Sequence, residues 1–463
     1  MPENVRYESF EAEASASPLL SAAGLVRSGV FDRYMVYEKH GGFTVAGGIE
    51  AELIADRDGV RFVRDGVERA VPWNDRGLTL VAELLAGLPM ADWRVYGWAA
   101  FELSYLLAGD AAAAGDGRLL HLVVPTVEVT FGADRVTGRG LAGDLRDRVV
   151  DLLRSGTAVA EEGYARNVRP MDVAGSGPDA GRYQEAVAGA VWDIQRGRLQ
   201  KVILSRVLPV EFEIDLLATW VAGRRGNNPA RSFLFDLGGL RGGGFSPEIV
   251  LEVRPDGVVS TQPLAGTRAA TGAADVDDRH RAELLSDAKE IFEHATSVKA
   301  AVDELSRFCV PDSVGVYGFM TVKHRGSVQH LGSMVTGSLA AGWTGWDAMA
   351  VLFPAITASG IPKRPAYEAI RRYEPEPRGL YAGAVLTAGA DGSLDAALVL
   401  RSVYQQDGRT WLRAGAGIVE QSRPGREYEE TCEKLRSVAD HLVPGPVAQL
   451  AGSGVAAGSR TIR

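Results

Sequence analysis

Acidic side chains recur at helical spacing in two segments of the chain. Glu427 and Glu430 precede Lys434, and Glu290 and Glu293 form a similar pair further upstream. At about 3.6 residues per turn, each set lies on one narrow stripe of a helix. Carboxylate oxygens are the ligands that Mg²⁺ prefers, so the two stripes predict a metal site or a site for an anionic substrate. The alternative is a pair of solvated helix faces, because Glu-x-x-Glu is a common pattern.

Two further residues have the chemistry of an acid–base pair. Lys201 opens a predicted strand over residues 201–212. Burial there would disfavour its ammonium form, so it could act as a base. Glu248 stands just before another predicted strand, where a partly buried carboxyl group could stay protonated and act as an acid. The alternatives are a surface lysine and an exposed carboxylate at the end of a strand.

Several other groups could hold an anion. Arg401 lies within the apolar run ALVLRSVY, which predicts a strand, and an unpaired guanidinium there would be costly. We expect it to bind a carboxylate in bidentate fashion, either that of a substrate or that of a structural ion pair. Gly266-Thr267 and Gly415-Ala416-Gly417 would let backbone N–H groups approach an anion. His330 could donate to a carboxylate, although a lone histidine is more often a satisfied core residue.

Helices and antiparallel strands must position these groups. Helical spacing covers residues 182–198, and an apolar stripe over residues 284–305 predicts one long helix with Glu290 and Glu293 on its flank. Asp-Gly pairs predict hairpin turns at residues 58–59, 65–66, 256–257, 391–392 and 407–408, the last two within a strand meander over 381–420. These patterns favour an α/β or α+β layered fold, and the sequence has neither a GxGxxG turn nor a P-loop.

Composition excludes several classes of protein. The formal net charge of −9 argues against nucleic-acid binding, as does the lack of a basic patch interleaved with aromatic residues. No apolar run approaches the ~20 residues that span a bilayer, and the polar, acidic first residues do not resemble a secretory signal. Cys309 and Cys432 are the only cysteines and cannot form a disulfide framework, which favours the reducing cytoplasm.

A linker-like segment at residues 171–181 divides the sequence. We expect a strand-rich N-terminal half over residues 1–170 and a catalytic region over residues 182–443, which contains every candidate site residue. Residues 444–463 are rich in Gly, Ala and Ser and are predicted to form a disordered tail.

Between residues 183 and 442 the sequence contains the ordered blocks KVILSR, SPE, PLAGTR, KEIFEHA, QHLGS, FPAITASGIPK, RGLYAGAV, LVLRS and AGAGIV…EYEETCEKL. Together these blocks resemble the chorismate-utilising enzymes, a family that includes anthranilate synthase component I, aminodeoxychorismate synthase, isochorismate synthase and salicylate synthase. The resemblance implies one large α/β (α+β) unit whose extensive antiparallel sheets enclose a deep active site, with helices packed outside.

The resemblance also implies a binding site for Mg²⁺ and for chorismate, a dianion. The metal would lie on Glu293 and Glu430, supported by Glu290 and Glu427, and would hold the ring carboxylate. The residues implied for the rest of the substrate are Tyr381, Arg401 and the Gly415 amide on the enolpyruvyl carboxylate, and Gly266, Thr267, His330, Thr357 and Lys434 on the ring side.

The same resemblance implies roles for the acid–base pair. Lys201 would deprotonate the water that attacks ring C2, and Glu248 would protonate the departing C4 hydroxyl. Anthranilate synthases typically have glutamine in place of Lys201, and aminodeoxychorismate synthases typically have a lysine in place of Ala265. The tryptophan-feedback signature of the anthranilate synthases is also missing. Water is therefore the expected nucleophile, and no glutaminase subunit is expected.

The segment around Leu386-Thr387 is similar to the salicylate synthases, in which isochorismate then loses pyruvate in a pericyclic step. This similarity implies salicylate production, for siderophores or related products, by a monomer. The alternatives are an isochorismate synthase that releases its product, an enzyme like anthranilate synthase component I, and a non-catalytic chorismate-binding subunit.

Overall fold

The computed structural model describes residues 6–13, 17–74, 77–156, 167–174 and 178–445. Residues 446–463, which make up nearly all of the predicted tail, lie outside the described residues, as do residues 175–177 of the linker-like segment. The proposed division at residues 171–181 stays a prediction.

The described residues are divided about equally among strands, helices and connecting loops. The strands are β1 Glu8–Ala12, β2 Tyr34–Lys39, β3 Gly42–Gly47, β4 Ala51–Ala55, β5 Gly59–Arg64, β6 Val67–Pro72, β7 Arg94–Ala99, β8 Leu120–Val124, β9 Val127–Phe131, β10 Val136–Gly140, β11 Lys201–Pro209, β12 Arg231–Asp236, β13 Arg241–Ser246, β14 Ile249–Val253, β15 Val258–Thr261, β16 Leu264–Ala269, β17 Gly315–Arg325, β18 Val328–Ser338, β19 Gly360–Ile361, β20 Ala384–Gly389, β21 Leu394–Leu398, β22 Ser402–Gln406 and β23 Arg409–Ile418. The α-helices are α1 Pro18–Arg27, α2 Thr79–Ala86, α3 Leu103–Leu107, α4 Asp144–Ser155, α5 Pro178–Gln195, α6 Leu216–Gly226, α7 Ala274–Ser286, α8 Ala288–Leu305, α9 Gly345–Leu352, α10 Lys363–Tyr373 and α11 Pro424–Ala439.

Two large antiparallel sheets organise these elements. The first has the strand order β1-β10-β9-β3-β2-β12-β13-β22-β23-β11-β19, and the second has the order β16-β18-β15-β14-β21-β20-β7-β8-β4-β5-β6, with β17 paired to β18. Both sheets combine strands from early and late in the chain. All five predicted Asp-Gly turns connect paired strands, which confirms them. The predicted α/β fold with extensive antiparallel sheets is confirmed.

Two of the points at which the chain crosses between the sheets are adjacent. Paired strands β13 and β22 belong to the first sheet, while paired strands β14 and β21 belong to the second. The crossing from β13 to β14 contains Glu248, and the crossing from β21 to β22 contains Arg401. The Leu398 amide donates to the Glu248 carbonyl at 3.1 Å, and the Phe245 amide donates to the Arg401 carbonyl at 3.1 Å. Two candidate site residues are thereby fixed side by side.

The continuous strand predicted for ALVLRSVY is therefore wrong. β21 ends at Leu398, β22 begins at Ser402, and Arg401 has φ of +52° between them. A left-handed backbone at a side chain this large is uncommon and is tolerated where the surrounding structure imposes it. Here the change from one sheet to the other imposes it.

The single long helix predicted over residues 284–305 is also wrong, because Asp287 divides it. Asp287 ends α7 and caps α8, accepting from the amides of Lys289 and Glu290. The buried face of α8 includes Glu290 and Glu293 themselves, whereas Ile291 of the predicted apolar stripe is only half-buried. The glutamates occupy the buried face because this part of α8 borders a polar cavity. No helix of the described residues is long and apolar enough to cross a membrane.

Candidate active site

A cavity at the two sheet crossings collects most of the predicted site residues. The cavity has a volume of about 60 Å³ that the centre of a water molecule can enter. The predicted residues that line it are Glu248, Gly266, Thr267, Glu293, His330, Thr357, Tyr381, Arg401, Gly415, Glu430 and Lys434. The other three, Lys201, Glu290 and Glu427, are buried behind the wall.

The four predicted metal-binding glutamates form one buried cluster with four cations. Each carboxylate has its own partner, and we call the eight residues the glutamate cluster. The pairs are Lys201–Glu293 at 2.8 Å, Lys289–Glu427 at 3.0 Å, Lys434–Glu430 at 2.7 Å and Arg268–Glu290 at 2.8 Å. The two stripes are therefore not solvated helix faces, because α8 and α11 turn them toward each other.

The pKa values of two neighbouring carboxyl groups in the glutamate cluster are shifted in opposite directions. Burial and the neighbouring charge of Glu430 raise the pKa of Glu427. Burial also opposes the charge on Glu430, but Lys434 and Lys289 outweigh it and hold the pKa of Glu430 below its usual value. Oε2 of Glu427 is buried and has no hydrogen-bond partner among the residues that the structure describes. A buried acceptor left unpaired is expensive, so this oxygen is a candidate for a ligand that is a donor or a cation.

The donor set of the glutamate cluster suits Mg²⁺, a hard cation that takes oxygen ligands. Within the described residues no three acidic, histidine or cysteine side chains are already grouped closely enough to hold a metal ion. The carboxylates point to lysines and an arginine instead. They could hold a metal only after some of these ion pairs are exchanged.

Lys201 is a buried residue and not a surface lysine. Its side chain is only 2% exposed, and its ammonium group contacts Ser297 Oγ at 3.2 Å as well as Glu293. Gly417 makes room for this pair, since a Cβ at that position would overlap the Glu293 carboxylate and lie 3.3 Å from Cε of Lys201. Lys201 does not itself line the cavity, whereas its ion-pair partner Glu293 does.

Glu248 is likewise fully buried and not an exposed carboxylate. The Thr357 hydroxyl donates to Oε1, and the Leu264 amide donates to Oε2 at 3.3 Å. Burial raises the pKa of Glu248 to about 8, an effect that these hydrogen bonds and the distant charge of Lys201 only partly offset. At pH 7 this carboxyl group is mostly protonated and can donate a proton into the cavity.

Arg401 has no acidic partner in the described part of the chain within 4.0 Å of its guanidinium. It donates from Nη1 to the Arg325 carbonyl at 2.6 Å and from Nη2 to Nε2 of His330. Burial and the charge of Arg325 lower the pKa of Arg401 to about 9. The structural ion pair considered from the sequence is absent among these residues, which leaves the guanidinium available to an anion in the cavity.

His330 supports Arg401 from the side of β18. Burial, followed by the charge of Arg401, lowers the pKa of His330 well below its usual value, so the ring is neutral. Its Nε2 accepts from Arg401, so we assign the ring proton to Nδ1, which lies 3.1 Å from the Gly266 carbonyl and 3.2 Å from the Thr267 hydroxyl. In this arrangement the His330 ring orients the guanidinium group of Arg401.

Tyr381 and Gly415 form the opposite wall. A Cβ on Gly415 would lie 2.7 Å from the Tyr381 hydroxyl, so only glycine leaves this space open. The guanidinium groups of Arg378 and Arg413 lie 5.6 Å and 5.5 Å from the centre of the Tyr381 ring. Lys434 donates to the Gly415 carbonyl at 2.9 Å. This wall therefore has three cations near it, which are paired with the two carboxylates of Glu374 and Glu430.

Sequence reasoning missed the arginines behind Tyr381. Arg378 and Arg413 share Glu374 in a buried group that we call the arginine clamp, with N–O distances of 2.6 Å and 2.7 Å. The central position of Arg413 in the apolar run WLRAGAGI is a signal that could have identified it. Lys289 was also missed, although it lies four residues before Glu293 and so shares its helix face.

Comparisons with known proteins agree with this fold and cavity. The family model described as chorismate binding enzyme matches residues 33–440. The salicylate synthase of Mycolicibacterium paratuberculosis is 44% identical over 413 residues, which cover 89% of this chain and 90% of that protein. Anthranilate synthase component 1 of Haloferax volcanii is 36% identical over 302 residues, covering 64% of this chain and 56% of its own length.

Solved structures show the same fold at lower identity. Anthranilate synthase component I from Streptococcus pneumoniae superposes with a TM-score of 0.71 at 24% identity, over 87% of this chain and 92% of its own. The menaquinone-specific isochorismate synthase of Escherichia coli gives a TM-score of 0.70 at 22% identity, over 94% of both chains.

Proposed function

The chain belongs to the chorismate binding enzymes, and on this premise we propose that it is a Mg²⁺-dependent salicylate synthase. The observation that carries the proposal is the 44% identity to a salicylate synthase over 89% of the chain. The proposed reaction converts chorismate to isochorismate and then to salicylate and pyruvate. The two cysteines, free and buried, suit a reducing cytoplasm, and siderophore assembly is a fitting use of the product.

We propose that the cavity binds chorismate by its two carboxylates. The enolpyruvyl carboxylate lies against Arg401, Tyr381 and the Gly415 amide, where an unpaired guanidinium and a cationic wall favour an anion. The ring faces Gly266, Thr267, His330, Thr357 and Lys434.

In the first proposed step, a water molecule attacks ring C2 while the C4 hydroxyl leaves. In its neutral form, reached when the ammonium group that pairs with Glu293 has lost a proton, Lys201 accepts a proton of the attacking water, and Glu248 gives its proton to the departing hydroxyl. The C2–O bond forms as the C4–O bond breaks, and the ring double bonds shift between them. The buried, mostly protonated state of Glu248 supports its role as the acid.

Glu293 and Glu430, with Glu290 and Glu427 behind them, are the proposed Mg²⁺ ligands. The bound metal would neutralise and orient the ring carboxylate. In the second step the C2 hydrogen moves to the enolpyruvyl methylene as pyruvate leaves. The chain supplies a pre-organised conformer for this pericyclic step, which needs no further base.

Two of the sequence features used to assign the subfamily differ in whether their residues line the cavity. Ala265 lines it, so a lysine at this position would enter the space where the substrate is proposed to bind. Leu386 and Thr387 lie in β20 and are not among the residues that line the cavity. They mark the salicylate synthases by similarity without touching the proposed substrate, so the product must be determined by assay.

The test is to incubate the purified protein with chorismate and Mg²⁺ and to follow salicylate fluorescence and pyruvate. Equal amounts of salicylate and pyruvate are expected, without ammonia or a glutaminase. Isochorismate that persists without pyruvate would contradict the proposal and identify a releasing isochorismate synthase. A binding subunit would consume no chorismate.

A further inference from the structure

A second, smaller chamber lies behind the active-site wall. It is bounded by Glu248 and Thr357 on one side and by Thr261, Ser297 and Glu304 on the others. About 20 Å³ of it admits the centre of a water molecule, which is room for about one water. The chamber is polar enough to hold that water, because three hydroxyl groups and two carboxyl groups border it.

Glu248 and Thr357 separate the chamber from the substrate cavity, since both residues line both spaces. The Thr357 hydroxyl donates to Glu248, and a hydroxyl can accept one hydrogen bond while it donates another. A water in the chamber can therefore reach the Glu248 carboxyl group directly or through Thr357.

Glu304 of α8 also borders the chamber. It forms an ion pair of 2.7 Å with Lys363, and the two side chains are 15% and 18% exposed. Lys363 is anchored by the carbonyls of Val351 and Leu352, at 3.0 Å each. The chamber is thus bordered by one fully buried acid, Glu248, and by a second acid that is partly exposed to solvent.

The proposed reaction creates a need for such a connection. Glu248 gives up one proton when the C4 hydroxyl leaves, and Lys201 gains one from the attacking water. Isochorismate then stays in the cavity until pyruvate is lost, so it blocks that side of Glu248. A proton must reach Glu248 from another direction, or its recovery must wait for the cavity to empty.

We propose that a water molecule in this chamber carries a proton from Glu304 to Glu248 after each first step, and that Glu304 regains its proton from solvent. In this transfer the protonated form of Glu304 gives its O–H proton to the water, and the water gives one of its own protons to Glu248, which leaves Glu304 as the carboxylate that pairs with Lys363. The proposal rests on the proposed function, since it needs Glu248 to act as the acid. Burial raises the pKa of Glu304 despite the opposing charge of Lys363, which favours a carboxyl group able to hold a proton.

The test compares the first turnover with the steady state in Glu304→Gln. Chorismate and Mg²⁺ are mixed with the enzyme in a rapid-quench instrument, and the sum of isochorismate and salicylate is measured. The first equivalent per enzyme is expected at the rate of the unaltered protein, because Glu248 starts protonated. Later turnovers are expected to be at least about tenfold slower, at the low end of what a proton-transfer group contributes.

Asp303→Asn is the matched control, because it makes the same chemical change one residue away on the exposed side of α8, where Asp303 pairs with Lys299. It should leave both phases unchanged. Glu304→Asp, which retains a carboxyl group, should recover much of the steady-state rate.

Ala301→Val is a second variant that leaves the Glu304–Lys363 pair intact. Ala301 borders the chamber, and two added methyl groups would displace the water. The same loss of steady-state rate with a preserved first turnover is expected.

Equal slowing of both phases in Glu304→Gln would mean that Glu304 only supports the structure, and unchanged phases would mean that Glu248 recovers its proton through the cavity. Either result overturns the proposal. Failure of the proposed function would be distinguished by the unaltered protein, which would then consume no chorismate or would accumulate isochorismate without pyruvate.

Discussion

The molecule contains two buried ionic clusters that differ in how completely their atoms are paired. In the arginine clamp, Arg378 uses Nε, Nη1 and Nη2, and its partners are both oxygens of Glu374 and the carbonyls of Ala358 and Ile203. In the glutamate cluster, each carboxylate is matched by a cation, but Oε2 of Glu427 has no hydrogen-bond partner in the described part of the chain. A fully satisfied buried network stabilises one arrangement, whereas a partly satisfied one can exchange partners.

The electrostatics of the two clusters follow the same division. Burial opposes the charge of Glu374, but Arg378 and Arg413 outweigh it and keep the pKa of Glu374 below its usual value. In the glutamate cluster, burial and Glu430 instead raise the pKa of Glu427. The arginine clamp behind Tyr381 therefore keeps its carboxylate ionised, whereas in the glutamate cluster the ionised form of Glu427 is disfavoured.

Breaking the glutamate cluster at Lys201 should give the largest effect. We expect Lys201→Ala to lower kcat by about 10²- to 10⁴-fold, the usual contribution of a positioned base. Chorismate binding, measured by calorimetry, should be largely retained, because Lys201 does not line the cavity. Lys299→Ala on the exposed face of α8 is the control. A turnover rate unaffected by Lys201→Ala would remove this residue from the mechanism.

Breaking the arginine clamp should instead reduce the stability of the fold. Glu374→Gln leaves Arg378 and Arg413 buried with less than their full pairing, and we expect the free energy of unfolding to fall by about 3–5 kcal/mol. Denaturant unfolding would measure this. Asp110→Asn, which disrupts the exposed pair with Arg371, is the matched control and should cost about 1 kcal/mol or less. Similar losses of unfolding free energy in the two variants would show that the arginine clamp stabilises the fold no more than an exposed ion pair does.

The glutamate cluster also predicts a coupling between metal and substrate. Each of its four carboxylates is paired with a cation, although Arg268 also pairs with Asp287. Mg²⁺ or dianionic chorismate alone would change the charge of the site by two units, while both together would leave it unchanged. We expect each to strengthen the binding of the other by roughly 5- to 150-fold, the usual range of coupling between sites. Calorimetry on Glu248→Gln, an inactive variant that leaves the glutamate cluster intact and replaces a mostly protonated carboxyl group by a neutral amide, would measure it with and without Mg²⁺ at matched ionic strength. Equal chorismate affinity in both conditions would contradict the coupling.

Local patterns predicted those parts of the molecule that neighbouring residues determine. The Asp-Gly turns need only the geometry of a hairpin, and the stripe of Glu427, Glu430 and Lys434 needs only the helical period. The ordered blocks then implied which residues share one cavity, and most of them do line it.

The errors arose where distant parts of the chain decide the outcome. ALVLRSVY reads as one strand, but its two ends belong to different sheets, and no local pattern reveals that change. The apolar stripe of α8 misassigned the buried face, because the period of a helix does not tell whether its neighbour is a polar cavity or an apolar core. The partners of Glu290 and Glu427, Arg268 and Lys289, also depend on how α8 meets β16 and α11.

The smallest expected effect concerns Glu248, which belongs to neither of the two clusters. This residue has neither the clamp's bidentate arginines nor a lysine of its own, and burial raises its pKa to about 8. Because the protonated form is the proposed acid, kcat/KM should be half its maximum near pH 8 and fall about tenfold per pH unit above it. The profile should be measured from pH 6 to 10, with chorismate binding followed in parallel. A kcat/KM that stays level through pH 9.5 would contradict the role of Glu248, because the group that must donate would then be ionised without consequence.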